Sequence, residues 1–257
     1  MTPLLELVHH MDKLLDIRNV PDYANALNGL QLESRRDIVK IAAAVDLSTR
    51  TINGTVDAGA NLMIVHHGMF WSGLQSLRGP AYARIKTLIE NDIAVYAVHL
   101  PLDRHPLYGN NVLLARTLGL VPTSEFARYK TISIGVRGEA HIPTAELYEK
   151  ASAFAREHGG VARSTPIDAH QRTTTWAICS GGGASTDTLR EAAESGVDTL
   201  IVGEGPHHTA VDANELGVTV IYAGHYATET LGVQALSAAV AERYGTPWVF
   251  IEAPTGL

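Results

Sequence analysis

Gly59-Ala-Asn-Leu-Met-Ile-Val65 runs directly into His66-His67-Gly68, and 137 residues later Gly196-Val-Asp-Thr-Leu-Ile-Val202 runs into Gly203-Glu204-Gly205. Each is a short apolar run of the kind buried on both faces of a parallel sheet, ended by polar residues and a glycine that lets the backbone turn. The next apolar run in each half ends in Tyr-Ala-x-His-x-x-x-acid: Tyr96-Ala97-Val98-His99 with Asp103, and Tyr222-Ala223-Gly224-His225 with Glu229, 126 residues apart. Any two α/β units share some likeness. The doubled match nevertheless predicts an α/β fold of two pseudo-repeated lobes around a central metal cleft, approximately residues 1–122 and 123–257 of one unit spanning 1–257. Ligands of open α/β sheets bind beyond the carboxyl ends of the strands, which is where these polar residues fall.

The rest of the chain keeps the same alternation. Strands are expected over residues 39–45, 61–65, 93–98, 131–136, 174–179, 199–202, 218–222 and 248–251. Helices are expected over 3–15, 48–58, 81–91, 110–118, 144–158, 186–194, 209–216 and 228–244, the last stopped by Gly245 and Pro247. The polar stretches 121–130 and 159–172 read as loops. With 46% hydrophobic and 18% charged residues, the chain has ample material for a core and is not a disordered polymer. Twenty Lys and Arg against 27 Asp and Glu leave a net charge of −7, which argues against a nucleic-acid partner. The single Cys179 excludes an intramolecular disulfide. No run approaches the ~18 apolar residues of a membrane span. Glu6, Asp12, Lys13 and Asp16 interrupt the place where a signal peptide would be apolar, so a cytoplasmic location and no membrane partner are expected.

Taken singly, the polar residues at the strand ends have plain readings: hydrogen-bonding histidines at a sheet edge, or an acid in a first helical turn. Taken together, His66, His67, Asp103, His225 and Glu229 supply three imidazoles and two carboxylates. His225 and Glu229 stand at the i, i+4 spacing that shares one helix face. Such a mixed nitrogen and oxygen set suits Fe, Mn, Zn or Ni, and five ligands exceed what one open catalytic ion uses, so two divalent metal ions per chain are expected. His99 aligns with His225 and reads as a group that orients Asp103 or moves a proton. Glu204 aligns with His67 and reads either as a general base or as a surface ion-pair partner. Ser180-Gly-Gly-Gly-Ala-Ser185 lacks the lysine of a phosphate-binding loop and reads as a tight turn. Cys179 reads as a buried structural thiol, His207-His208 as a helix start, and Glu6-x-x-His9-His10 as the polar side of an amphipathic helix.

Asn28-Gly-Leu-Gln31, Ile64-Val-His-His67, His99-Leu-Pro-Leu-Asp103, Ser180-Gly-Gly-Gly183 and Gly224-His225-Tyr-Ala-Thr-Glu229 make the chain resemble, over essentially its whole length, the Nif-three-like family, often called GTP cyclohydrolase I type 2 homologues. The stretch Tyr23-Ala-Asn-Ala-Leu-Asn28 is a looser match. The resemblance implies a Nif-three-like fold without the inserted central domain of some members. It also implies a dinuclear metal site made by His66, His67, Asp103, His225 and Glu229, with Glu229 bridging, and self-association as a toroidal homohexamer, a trimer of dimers. The expected function is a metal-dependent hydrolase of a small-molecule substrate, either GTP cyclohydrolase type 2-like with release of formate or a phosphoester hydrolase. The alternative is a non-catalytic metal-binding ring acting as metal store, metallochaperone or scaffold.

Overall fold

Parallel three-stranded blocks form from the apolar runs that the sequence repeats, and each block is the centre of its own sheet. The computed structural model describes residues 2–257. It divides into two compact units, one made of the chain up to Leu102 together with Gly232–Ala253, the other of Asp103–Leu231 with Pro254–Leu257.

The first unit opens with α1 (Leu4–Leu14), β1 (Gly29–Leu32), β2 (Ile41–Asp46), α2 (Thr49–Asp57), β3 (Leu62–His67), α3 (Pro80–Glu90) and β4 (Ala94–Ala97). A one-turn helix α4 (Leu100–Asp103) follows, its last residue belonging to the second unit. The second unit carries α5 (Asn110–Thr117), β5 (Ser124–Tyr129), β6 (Ile132–Pro143), α6 (Thr144–Glu157), β7 (Arg163–Ser164), β8 (Arg172–Cys179), α7 (Thr186–Glu194), β9 (Thr199–Val202), α8 (His207–Leu216), β10 (Thr219–Tyr222) and the short α9 (His225–Thr228). Helix α10 (Thr230–Tyr244) starts in the second unit and continues into the first, where β11 (Trp248–Phe250) closes the fold.

The sheet of the first unit has the order β1-β4-β3-β2-β11, and that of the second β5-β6-β8-β9-β10-β7. Strands β2, β3 and β4 are parallel, as are β8, β9 and β10. In both blocks an antiparallel edge strand pairs with the third member, β1 with β4 and β7 with β10. The repeat extends to the helix that follows the first strand of each block. Ser48 Oγ accepts from Thr51 N at the start of α2, and Ser185 Oγ accepts from Thr188 N at the start of α7. Ser-Thr-x-Thr stands at both places, 137 residues apart.

The blocks are apolar throughout because both faces are covered. In the first unit Ala42, Ala44, Met63, Val65, Val95 and Ala97 pack against Ile52 of α2 and Leu88 of α3. In the second, Trp176, Ile178 and Ile201 pack against Leu147, Ala151 and Phe154 of α6, while Ala177, Leu200 and Val220 pack against Leu189 of α7 and Ala213 of α8. Each fully buried Val, Leu, Ile, Met or Phe among them contributes about 1.5–3 kcal/mol relative to exposure, and each alanine less.

Four local expectations are corrected. The stretch 121–130 holds the strand β5, whose alternation is masked by Glu125 and Arg128 at a sheet edge. The stretch 159–172 holds the two-residue edge strand β7, too short to show a pattern. Strand β3 runs on through His66 and His67, because both residues are buried and His67 pairs with Asp46 of β2. The last helix is broken at Glu229, which caps α9 with φ −108° and ψ 2° before α10 begins.

Candidate metal centre

Three histidines of the first unit come together at the carboxyl ends of two neighbouring strands. His66 and His67 finish β3, and His99 lies just beyond β4; they are 1%, 8% and 8% exposed. Neighbouring residues of a regular strand face opposite ways, yet the His66 and His67 ring centroids are only 4.9 Å apart. His99 lies 4.9 Å from His66 and 5.7 Å from His67, and the three can bring ligating ring nitrogens within 4.8 Å of one another. Trp71 covers the group, its ring 4.8 Å from His67 and 4.6 Å from His99.

Each ring is oriented through Nδ1. His66 Nδ1–H donates to the Val98 carbonyl (2.9 Å), His67 Nδ1–H to Asp46 Oδ1 (2.8 Å) and His99 Nδ1–H to Asp22 Oδ1 (2.9 Å). A neutral imidazole that donates from Nδ1 carries its lone pair on Nε2, and this tautomer lock is the usual support of a metal-ligating histidine. Asp22 is itself fixed by Asn28 Nδ2 (2.8 Å) and the backbone N–H groups of Tyr23 (2.7 Å) and Leu100 (2.9 Å). Burial pushes the Asp22 carboxyl up, but the hydrogen bond and charge of His99, with help from Asn28 and Tyr23, outweigh it and hold the group below the ordinary value. Asn28 also accepts from His99 N through Oδ1 (2.7 Å), and Gln31 Oε1 accepts from Met69 N (2.6 Å). The Asn28-Gly-Leu-Gln31 segment therefore braces both histidine-bearing loops.

The second unit gathers carboxylates. His225, at the start of α9, places Nδ1 2.7 Å from Glu204 Oε1 and Nε2 3.2 Å from Glu229 Oε2. Burial pulls the His225 imidazole down, but Glu229 and then Glu204 more than offset this and push it up to about 9. Glu229 is 2% exposed. Asp103 accepts from Asn110 Nδ2 (2.8 Å) and from Ser180 Oγ (3.3 Å), while Asn111 binds Ser180 N through Oδ1 (2.7 Å). The Ser180-Gly181 turn thus reaches both acids. Gly181 has φ +60°, its N–H donates to Thr228 Oγ1 (3.0 Å), and a Cβ there would overlap the Glu229 carboxylate. The Gly-rich loop is a tight turn moulded around an acid.

Within single units the structure brings His66, His67 and His99 together, and likewise His225 with Glu204 and Glu229. It places Asp103 and Glu229 against the same Ser180-Gly181 turn. Three buried imidazoles with oriented Nδ1 atoms, and buried acids against a glycine, are a donor set that fits borderline divalent cations. His207 and His208 are exposed in the first turn of α8, and Glu6 and His9 are exposed on α1. The Cys179 thiol is pushed up to about 12 by burial and by the charges of Asp103, Glu191 and Glu229, so it is an inert core group. Asp22, Asp46, Trp71 and Asn111 were not legible as site residues. Asp46 alone left a signal, standing just after the apolar run of β2.

No described helix is long and apolar enough to cross a membrane. Among curated proteins, a Halobacterium salinarum protein named GTP cyclohydrolase 1 type 2 homolog is 43% identical over 94% of this chain and 96% of its own length. A Deinococcus radiodurans protein of the same name is 40% identical over 98% of this chain and 94% of its own. The solved structure of the protein ybgI, of unknown function, superposes with a TM-score of 0.88 at 34% identity, covering 100% of both chains. The family model Duf34/NIF3 (NGG1p interacting factor 3) matches residues 3–255, and this chain belongs to that family.

Proposed function

We propose that the protein holds two divalent cations through His66, His67, Asp103, His225 and Glu229, and that it hydrolyses a small molecule there. The observation that carries this reading is the buried group of His66, His67 and His99, each ring locked through Nδ1. Bound cations would supply Lewis acidity for polarising a substrate and activating water. The chain's own residues orient and exclude: Asp46 and Asp22 fix the rings of His67 and His99, Glu204 fixes that of His225, and Trp71 shields the imidazoles from water. His99, its Nδ1 proton engaged by Asp22, gives or takes a proton at Nε2. The names of the relatives favour a formate-releasing, GTP cyclohydrolase-like reaction over phosphoester hydrolysis. The proposal includes a cytoplasmic, ring-shaped homohexamer, which light scattering would check as six times the chain mass.

One observation favours the second reading, a non-catalytic metal store, metallochaperone or scaffold. Glu204, the acid best suited by sequence to act as a base, spends its carboxylate on orienting His225. The deciding experiment is elemental mass spectrometry of natively purified protein, followed by incubation with GTP and with a phosphomonoester. About two ions per chain and release of formate or phosphate support the hydrolase. About two ions with neither product favours the store, and no retained metal with Mn, Fe, Ni or Zn overturns both.

A further inference from the structure

The loop after β3 builds a cavity that the metal reading does not use. It measures about 250 Å³ and lies within the first unit, with His67, Phe70, Trp71, Leu77, Arg84 and Ile85 among its walls. The loop is pinned where it leaves the strand. Gln31 holds Met69 N, Asn25 donates to the Trp71 carbonyl, and a Cβ on Gly68 would overlap the Gln31 amide and Ala97. Trp71 is therefore a fixed wall, with one edge against His67 and His99.

The lining has two characters. Phe70 and Trp71 offer flat aromatic surface, and Leu77 and Ile85 add aliphatic walls. Arg84, half-buried on α3, makes no hydrogen bond or ion pair with any described residue. An arginine that lines a cavity and has no carboxylate partner is suited to an anionic group on a ligand, and its guanidinium can bind one bidentately. The one acid in the lining, Asp46, is engaged by the Nδ1–H of His67.

We infer that this cavity is a subsite for a small planar aromatic molecule carrying an anionic substituent, its ring against Trp71 and its anion on Arg84. Sites that enclose drug-sized ligands occupy roughly 300–1,000 Å³, so about 250 Å³ points to one or two fused rings. The inference deepens the proposed function and rests on it for one point: the end of the ligand nearest His67 is the end presented to the cations.

The test is calorimetric titration of the natively purified, metal-loaded protein with 2-naphthoate, with the neutral isostere 2-naphthalenemethanol and with the non-planar anion cyclohexanecarboxylate. Metal content is measured on the same samples. Naphthoate is expected to bind at least about tenfold tighter than either comparison ligand, as a charge-assisted hydrogen bond and a ring stack each warrant. Arg84→Gln is expected to abolish the advantage over the alcohol, Arg84→Lys to restore part of it, and Trp71→Phe to retain more of the advantage over cyclohexanecarboxylate than Trp71→Leu. Equal binding of naphthoate and the alcohol, or an advantage that survives Arg84→Gln, overturns the subsite. If that happens with about two ions retained per chain, the subsite fails alone. If naphthoate keeps its advantage in protein that retains no metal, the subsite stands and the metal-dependent function fails.

Discussion

Asp22 shows how much of the site rests on residues with no chemistry of their own to advertise. Its carboxylate takes the Nδ1–H of His99 and three further N–H groups, so a single side chain fixes a ring, a turn and the start of α4. Asp22→Asn keeps the size but removes the negative charge that favours this tautomer. Supports of this kind are worth ~10–100-fold in metal affinity or activity, and because His99 moves a proton rather than binding metal, a loss in that range is expected in turnover of the metal-loaded protein, with metal content unchanged. Cys179 gives a prediction of opposite character. Its thiol is raised from 9.0 to about 12, so between those values the folded state holds a proton that the unfolded state has lost. Stability therefore falls as pH rises through that window, by on the order of 1 kcal/mol per pH unit for this one group. Urea melts at pH 8 and pH 10.5 are expected to show a smaller drop for Cys179→Ala than for the natural chain.

Among the elements, the ends carry the information and the middles carry the stability. The strands of the two parallel blocks were legible as continuous apolar runs, since residues covered on both faces cannot alternate. Strand β5 was not legible, because an edge strand exposes Ser124, Glu125 and Arg128 and loses its pattern. The break at Glu229 was also hidden. Nothing local distinguishes Thr228-Glu229-Thr230 from helix, whereas Gly181 pressing on the carboxylate is a contact made by distant sequence. The paired caps give a clean test. Ser48→Ala and Ser185→Ala each remove a side-chain acceptor at a helix start and should cost about 1 kcal/mol in urea unfolding. The loss at Ser48 should be the larger, since its cap hydrogen bond is part-buried whereas that of Ser185 is exposed to solvent. Neither change touches an imidazole, so metal content should stay as it is.

For the complete chain, the repeat is the organising fact: each sheet contains a block of three parallel strands with an antiparallel edge strand on the third, and β11 adds a fourth parallel strand to the first sheet. Donors sit at matching places in both, His67 opposite Glu204 and His99 opposite His225 in the alignment of the halves. In both halves the second histidine is held at Nδ1 by a carboxylate, from Asp22 in one and Glu204 in the other. If cations bind this set in the folded state alone, removing them lowers stability. At a free metal concentration of 100 times Kd the linkage is worth about 2.7 kcal/mol for each ion. For a chain of this size each ion then corresponds to roughly 5–10 °C in Tm. Thermal melts before and after chelation, with readdition of metal, are expected to show a reversible shift of that size; an unchanged Tm would count against occupancy.

What the residues alone established was the α/β class, the doubled pattern and the polar clusters at the ends of the repeated strands. All of these are written locally, in periodicity and in the step from apolar run to histidine or acid. The partners of those clusters were decided only by tertiary structure. Asp22 reaches His99 across 77 residues, Ser180 reaches Asp103 across the same separation, and Asn111 reaches Ser180 across 69. A hydrogen bond of that span leaves no spacing to read, because the chain between its ends is free to be any length that the fold can close.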